Sequence, residues 1–222
     1  MLTSASAQTA VSASKKFIFF PGYKPEYEFS CFAGLSLAQL PTKIVEDVFD
    51  QVPMIELKAS LGLPYSISAG AELNTNIFTN QLSLSPAYSA AYKNFSFKAG
   101  SDILFWYGFY KDDGFNVSVL GWGYSPFVSA GYDFNDFLLS VRLSADIKAQ
   151  STYMRKISYK NYSPEFKGLT MSFAVEQPLW NDHWFALGFR ANYTTFFYKS
   201  WISFSTFEQY TFYPEFFAGF IL

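Results

Sequence analysis

The chain is 222 residues long, 50% hydrophobic, 22% aromatic with 27 Phe and 16 Tyr, and only 15% charged. A net charge of −2 excludes the broad basic field that nucleic acid requires, and a single Cys and a single His exclude an internal disulfide and a Cys/His metal cluster. The longest uncharged run, Gly114–Tyr132, contains Asn116, Pro126 and four glycines, so no segment reads as a spanning helix and any membrane crossing falls to strands.

Met1–Ser14 is small and polar, and Ala5-Ser6-Ala7 ahead of Gln8 has the small residues of a secretory cleavage box without its basic and apolar preludes. Lys15-Lys16-Phe17-Ile18-Phe19-Phe20 then runs into the turn signal Pro21-Gly22 and suits a periplasmic arm or a short extra strand. The expected organisation is a flexible N-terminal leader or signal remnant over 1–27, followed by one domain over 28–222.

Alternation of period two predicts ten strands, at roughly 28–40, 54–63, 66–77, 80–92, 95–107, 115–132, 137–149, 169–177, 184–197 and 209–222. In the second, Ile55, Leu57, Ala59, Leu61 and Leu63 alternate with Glu56, Lys58 and Ser60; in the seventh, Leu139, Val141, Leu143, Ala145 and Ile147 alternate with Ser140, Arg142, Ser144, Asp146 and Lys148. Most windows hold about ten residues or more, as a tilted membrane strand needs, where soluble strands average five or six. In the sixth, Val117 and Val119 are out of phase with Trp122, Tyr124, Val128, Ala130 and Tyr132, which predicts a bulge near Gly121. Pro86, Pro126 and Pro214 each remove a ladder donor and belong at bulges or strand ends.

The connections alternate in length. Pro64-Tyr65, Lys93-Asn94, 133–136 and 178–183 are short, whereas 41–53, 108–114, 150–168 and 198–208 are longer, with 78–79 as the exception. Membrane barrels have short periplasmic turns and longer external loops. An even strand number puts both termini on the periplasmic side. Residues 200–207 also alternate and would raise the count to twelve.

Twelve charges fall within the windows: Glu28, Glu56, Lys58, Glu72, Lys98, Asp102, Arg142, Asp146, Lys148, Glu176, Arg190 and Glu215. All lie on the polar face. A Lys or Arg facing lipid at mid-bilayer costs about 2–4 kcal/mol, which would produce this pattern. Rings gather at the two ends of the apolar face, with Tyr92, Phe95, Tyr132 and Phe137 at one rim and Phe105, Tyr107, Tyr193, Phe197 and Tyr210 at the other. A soluble ligand-binding barrel would share the alternation but not the strand length, the loop asymmetry or the rings.

In the last strand Tyr210, Phe212, Phe216, Phe220 and Leu222 share one face. This resembles the C-terminal strand of bacterial outer-membrane β-barrel proteins, whose apolar, ring-rich end is read by the barrel-insertion machinery; that pattern usually closes on Phe or Trp rather than Leu222. The resemblance is to the class and implies an all-β, single antiparallel transmembrane β-barrel in a bacterial outer membrane, in contact with the lipid bilayer and lipopolysaccharide. Barrel enzymes of that class include omptin-type proteases, phospholipases and lipid A deacylases. His183 lies in a short periplasmic turn, at the wrong end for such chemistry, and no Gly-x-Ser-x-Gly elbow is present, so no catalytic residues, metal ligands or cofactor are assigned. Gly121-x-Gly123 has no following helix and does not cradle phosphate.

The expected lumen lining is Glu56, Lys58, Glu72, Lys98, Asp102, Arg142, Asp146, Lys148, Glu176, Arg190 and Glu215, wetted by Asn74, Asn76, Ser83, Ser85, Ser89 and Asn192. Such a lining makes a narrow, weakly cation-preferring channel for ions or small solutes. Paired internally, it makes a closed barrel that serves as an anchor, adhesin or subunit of an envelope protein complex. External contacts are expected at Tyr153, Arg155, Lys156, Tyr159 and Lys160, where basic residues interleave with rings, and over 41–53, where Ile44, Val45, Val48 and Phe49 have helical spacing.

Overall fold

A computed structural model describes residues 15–39, 51–76, 79–112, 115–154, 158–161, 164–179, 183–195 and 210–222, with the backbone alone over 110–112, 115–117, 151–154 and 158–161. Eleven strands are present among them: β1 Phe29–Gln39, β2 Gln51–Gly62, β3 Ile67–Thr75, β4 Thr79–Tyr92, β5 Phe95–Asp112, β6 Phe115–Asp133, β7 Leu138–Met154, β8 Ser158–Asn161, β9 Glu165–Pro178, β10 Trp184–Thr195 and β11 Tyr210–Ile221. Each pairs antiparallel with its neighbour. β1 pairs with β11 and β6 with β7, so ten strands close into a ring, and β8 pairs only with the upper part of β7. The fold is an all-β, closed antiparallel barrel, and each of the ten windows read from alternation overlaps a barrel strand.

The closed ring satisfies every ladder without leaving an edge, which is the condition for crossing lipid as strands. Alternation then sorts the side chains. On β1 Ser36 is 3% exposed while its neighbour Leu35 is 63% exposed; on β11 Phe217 is 2% exposed and Phe216 56%. The outward band is apolar and bounded by rings. At the short-turn end Phe95, Tyr132, Phe134 and Phe137 form a run of ring contacts with centroids 4.6–4.8 Å apart. At the other end Tyr193 stacks on Tyr210 at 5.4 Å. Phe197, expected at that rim, lies outside the described residues.

The predicted turns at 64–65, 93–94 and 133–136 are short and lie at one end of the barrel. Lys93-Asn94 joins β4 to β5 with Lys93 at φ 55°, the positive angle that tight hairpins need. On the external side two expected loops are largely strand. Residues 108–112 are the end of β5, which pairs with β6 out to Asp112 and Phe115, and 150–168 contains the end of β7, all of β8 and the start of β9. β5, β6 and β7 are 18, 19 and 17 residues long, against about 9–11 needed to cross a bilayer. The barrel wall therefore stands taller on this side than a bilayer crossing requires. The expected helix in 41–53 and the extra pair at 200–207 lie outside the described residues, apart from the start of β2.

The bulge expected near Gly121 is not in β6. That strand keeps one phase, with Val119 buried inside and Leu120, Trp122 and Tyr124 outside. The lumen accepts an apolar Val119, so its parity had signalled nothing. The ladder irregularity lies on the partner strand, where Ala149 is the extra residue between Lys148 and Gln150. A second shift on β9 bypasses Lys167 next to Gly168, which adopts φ 151°. Pro86 and Pro126 sit mid-strand at gaps in the β4–β5 and β6–β7 ladders that leave the register unchanged, not at bulges. Pro214 lies just beyond Glu215, the last β11 residue to pair with β1.

From Lys15 the chain is not a free leader. Residues 15–27 enter the barrel at the short-turn end, and Phe17 and Phe20 pack with Phe32, Leu138, Ala174, Trp184, Ala186, Phe217 and Ile221. Met1–Ser14 lies outside the described residues.

Candidate functional site

The lumen is built in layers. Its floor is the arm. The Glu176 carboxylate on β9 accepts the backbone N–H groups of Ile18 at 2.7 Å, Phe19 at 3.0 Å and Phe20 at 2.6 Å. An extended arm entering a barrel has amides that no ladder can satisfy, and one buried carboxylate satisfies three of them. Lys15 pairs with Asp133 at 2.7 Å. Lys24 donates to Phe17 O at 3.1 Å and Ser30 Oγ at 2.8 Å. Burial pushes the Lys24 ammonium down to about 8, against the opposing pull of Glu28 and Glu176.

Glycines make room for the rings above this floor. A Cβ at Gly188 would stand 2.1 Å from the Phe217 ring. Phe217 therefore lies across β10 and stacks on Phe19 of the arm, with centroids 4.8 Å apart. The other side of this aromatic layer carries cations: Arg190 over Phe217 at 4.4 Å and Lys58 over Phe19 at 5.0 Å.

The middle layer is an ion-pair network. Arg190 on β10 spans to Glu56 on β2 with both terminal nitrogens, one of them at 2.8 Å, and also donates to Glu215 on β11. All three side chains are buried, Glu56 at 1%. Lys58 joins them through Glu72 at 2.7 Å, and Asn74 donates to Glu72 at 2.6 Å.

The opposite wall is looser. Arg142 on β7 pairs with Asp102 on β5 across β6, lies 3.6 Å above the Phe127 ring, and keeps a third of its side chain exposed. Ser85 also donates to Asp102, at 2.6 Å, and Ser125 donates to Asp146 at 2.7 Å. Lys98 faces the same space. At the external rim Lys148 and Lys167 both pair with Glu165, at 2.8 and 2.6 Å. Between these walls lies a cavity of about 150 Å³, floored by Ile18 and Phe19 and lined largely by serine hydroxyls and charged side chains.

The structure thus places Glu56, Lys58, Glu72, Lys98, Asp102, Arg142, Asp146, Lys148, Glu176, Arg190 and Glu215 on the inner face, in three separate groups. Glu176 belongs to the arm's seat, and Lys148 to the external rim. Tyr153 pairs with Tyr159, and Thr152 with Lys160, on the β7–β8 ladder above the barrel; Arg155 and Lys156 lie outside the described residues. His183 is exposed beside the start of β10 at the short-turn end. The arm residues Lys15, Phe17, Phe20 and Lys24 were not assigned to the interior from sequence. Their signal was available: four apolar residues flanked by lysines, too apolar for a solvated leader.

No family model and no curated protein matches this chain. Among solved structures it is similar to the crystal structure of Neisserial surface protein A (NspA), at 12% identity over 87% of this chain and 96% of that one, with a TM-score of 0.39. It is also similar to OmpT, an outer membrane protein of Vibrio cholerae, in its in-vitro folded form, at 11% identity over the same shares and a TM-score of 0.23.

Proposed function

We propose that this chain is a bacterial outer-membrane barrel, closed in its resting state, which acts as an anchor or as a subunit of an envelope protein complex. The observation that carries this reading is the arm. Its three amides are bound by Glu176, and Phe20 is fully buried among rings from β1, β10, β11 and the arm itself, with Leu138 and Ala174 beside them. The Arg190–Glu56–Glu215 network above it ties β10 and β11 to β2 and fills that side of the lumen. The outward band faces the bilayer and lipopolysaccharide, the ring-rich β11 suits the insertion machinery, and the projecting β5–β8 wall presents a surface to a protein partner. This role involves no catalysis.

A second reading, a narrow channel for ions or small solutes, is favoured by the polar cavity above Phe19. Conduction would require the arm to leave. Planar-bilayer recordings separate the two. The closed reading expects no unitary steps from the full chain, and discrete steps once Glu176→Gln and Phe20→Ala are combined. Steady current from the unaltered chain, with selectivity that changes in Asp102→Asn, would replace it with the channel reading.

A further inference from the structure

Among the described residues, every inward-facing cation on a barrel strand but one has a carboxylate partner. Arg190 has Glu56 and Glu215, Lys58 has Glu72, Arg142 has Asp102, and Lys148 has Glu165. Lys98, on the inner face of β5 three residues from the start of the strand, makes neither an ion pair nor a hydrogen bond among the described residues. The charges that act on it are Lys24 and Arg142, of its own sign, and Glu176, whose carboxylate is committed to the arm. An ammonium inside a barrel without an acceptor is costly, and such a group is retained where something else supplies the counter-charge.

Three further observations converge on the same space. Lys98 and Arg142 both line the cavity of about 150 Å³. Arg142 spends one terminal nitrogen on Asp102, and the Phe127 ring beneath it holds the guanidinium plane, which leaves other donors of the fork unused. Ser89, directly opposite Lys98 on β4, has a buried Oγ with no hydrogen-bond partner. Asp146, the carboxylate lining the same cavity without an ion pair, is already held by Ser125 and Thr170, and it sits four residues along β7 from Arg142 toward the external end.

We propose that Lys98 and Arg142 form a binding site for a small oxyanion, a phosphate-like or carboxylate group, that enters from the external mouth and stops above Phe19. The ammonium supplies the charge and the guanidinium a planar pair of donors. The volume suits an ion of phosphate or short-carboxylate size and excludes a nucleotide or a sugar chain. The site does not depend on conduction, since a closed barrel and an open one would both present it.

The test uses the full chain folded in detergent, with inorganic phosphate and acetate as separate probes at constant ionic strength set by a bulky, non-coordinating buffer anion. The readout is the temperature midpoint of the gel-mobility change that marks barrel unfolding, followed against probe concentration. A saturable rise with at least one probe is expected, lost in Lys98→Met and weakened at least tenfold in apparent affinity in Arg142→Lys, which keeps the charge but not the fork. Because Lys98→Met removes an unpaired cation, its own midpoint should equal or exceed that of the parent, so a lost response cannot be ascribed to misfolding. A response to phosphate alone names the phosphate class, and a response to acetate names the carboxylate class. No saturable response to either probe, or a response unchanged in Lys98→Met, overturns the site.

Discussion

The two halves of the lumen are filled by different chemistry, and the difference shows what a narrow barrel can do with its interior. At the short-turn end, rings from the arm and from β1, β10 and β11 pack with Leu138 and Ala174 as a protein core does, and the buried Glu176 carboxylate serves backbone amides rather than a cation. Above the Phe19–Phe217 stack the filling is ionic and hydroxylic. It is tight on the Arg190 side and open on the Arg142 side, where the cavity lies. A ring layer is stable because it excludes water; an ion-pair layer is stable only while each charge keeps its partner.

The largest effect is expected where the upper half is tightest. Arg190→Met would leave Glu56 and Glu215 buried without a cation and cost about 3–5 kcal/mol, seen as a lower midpoint in urea or heat. An unchanged midpoint would mean that water reaches these carboxylates. In the lower half, Phe20→Ala should cost about 3 kcal/mol or more of arm docking, read as faster tryptic cleavage at Lys15 and Lys16 while the barrel itself stays folded. Simultaneous loss of barrel and arm would make the two one cooperative unit.

The pH response should come from the arm. The folded-state value of Lys24 is about 8, below its ordinary 10.5, so the seated arm prefers the neutral amine. Docking should therefore tighten as pH rises from about 8 to about 10.5 and level off on either side, by at most about 3 kcal/mol. The unfolding midpoints of the parent and Lys24→Met, compared across that window, measure it, and a difference that does not vary with pH would remove Lys24 from the account. At the boundary between the halves, Gly188→Val drives a side chain into the Phe217 ring and should cost about 1–3 kcal/mol, with loss of the near-ultraviolet signal of the ring cluster as its signature. The smallest effect belongs to the open wall. Arg142→Met should change stability by about 1 kcal/mol or less, because the pair it breaks is a third exposed on the Arg side.

Much of this molecule was legible because a membrane barrel is a local code. Each strand repeats the same two-residue rule, so Leu35 beside Ser36 or Phe216 beside Phe217 can be sorted without reference to the rest of the chain. The rule failed where the lumen tolerated what lipid does not. Val119 read as part of a break in phase because apolar residues were taken to face outward, yet the inside of a barrel accepts it without cost. The external hairpins were read as loops because their strands continue past the membrane, where the alternation is no longer enforced by lipid.

The sequence by itself determined the class, the strand number and the face on which every strand charge stands, since those follow from a period of two and from the cost of a charge in hydrocarbon. Tertiary structure alone decided which charges meet. Arg190 reaches Glu56 across two intervening strands and 134 positions of sequence, and Glu176 meets amides 156 to 158 residues away. Only closure of the ring brings such groups within a hydrogen bond of one another. Closure also leaves Lys98 facing a cavity rather than a partner, and it turns a lysine-flanked run of Phe at the start of the chain into the floor of the lumen.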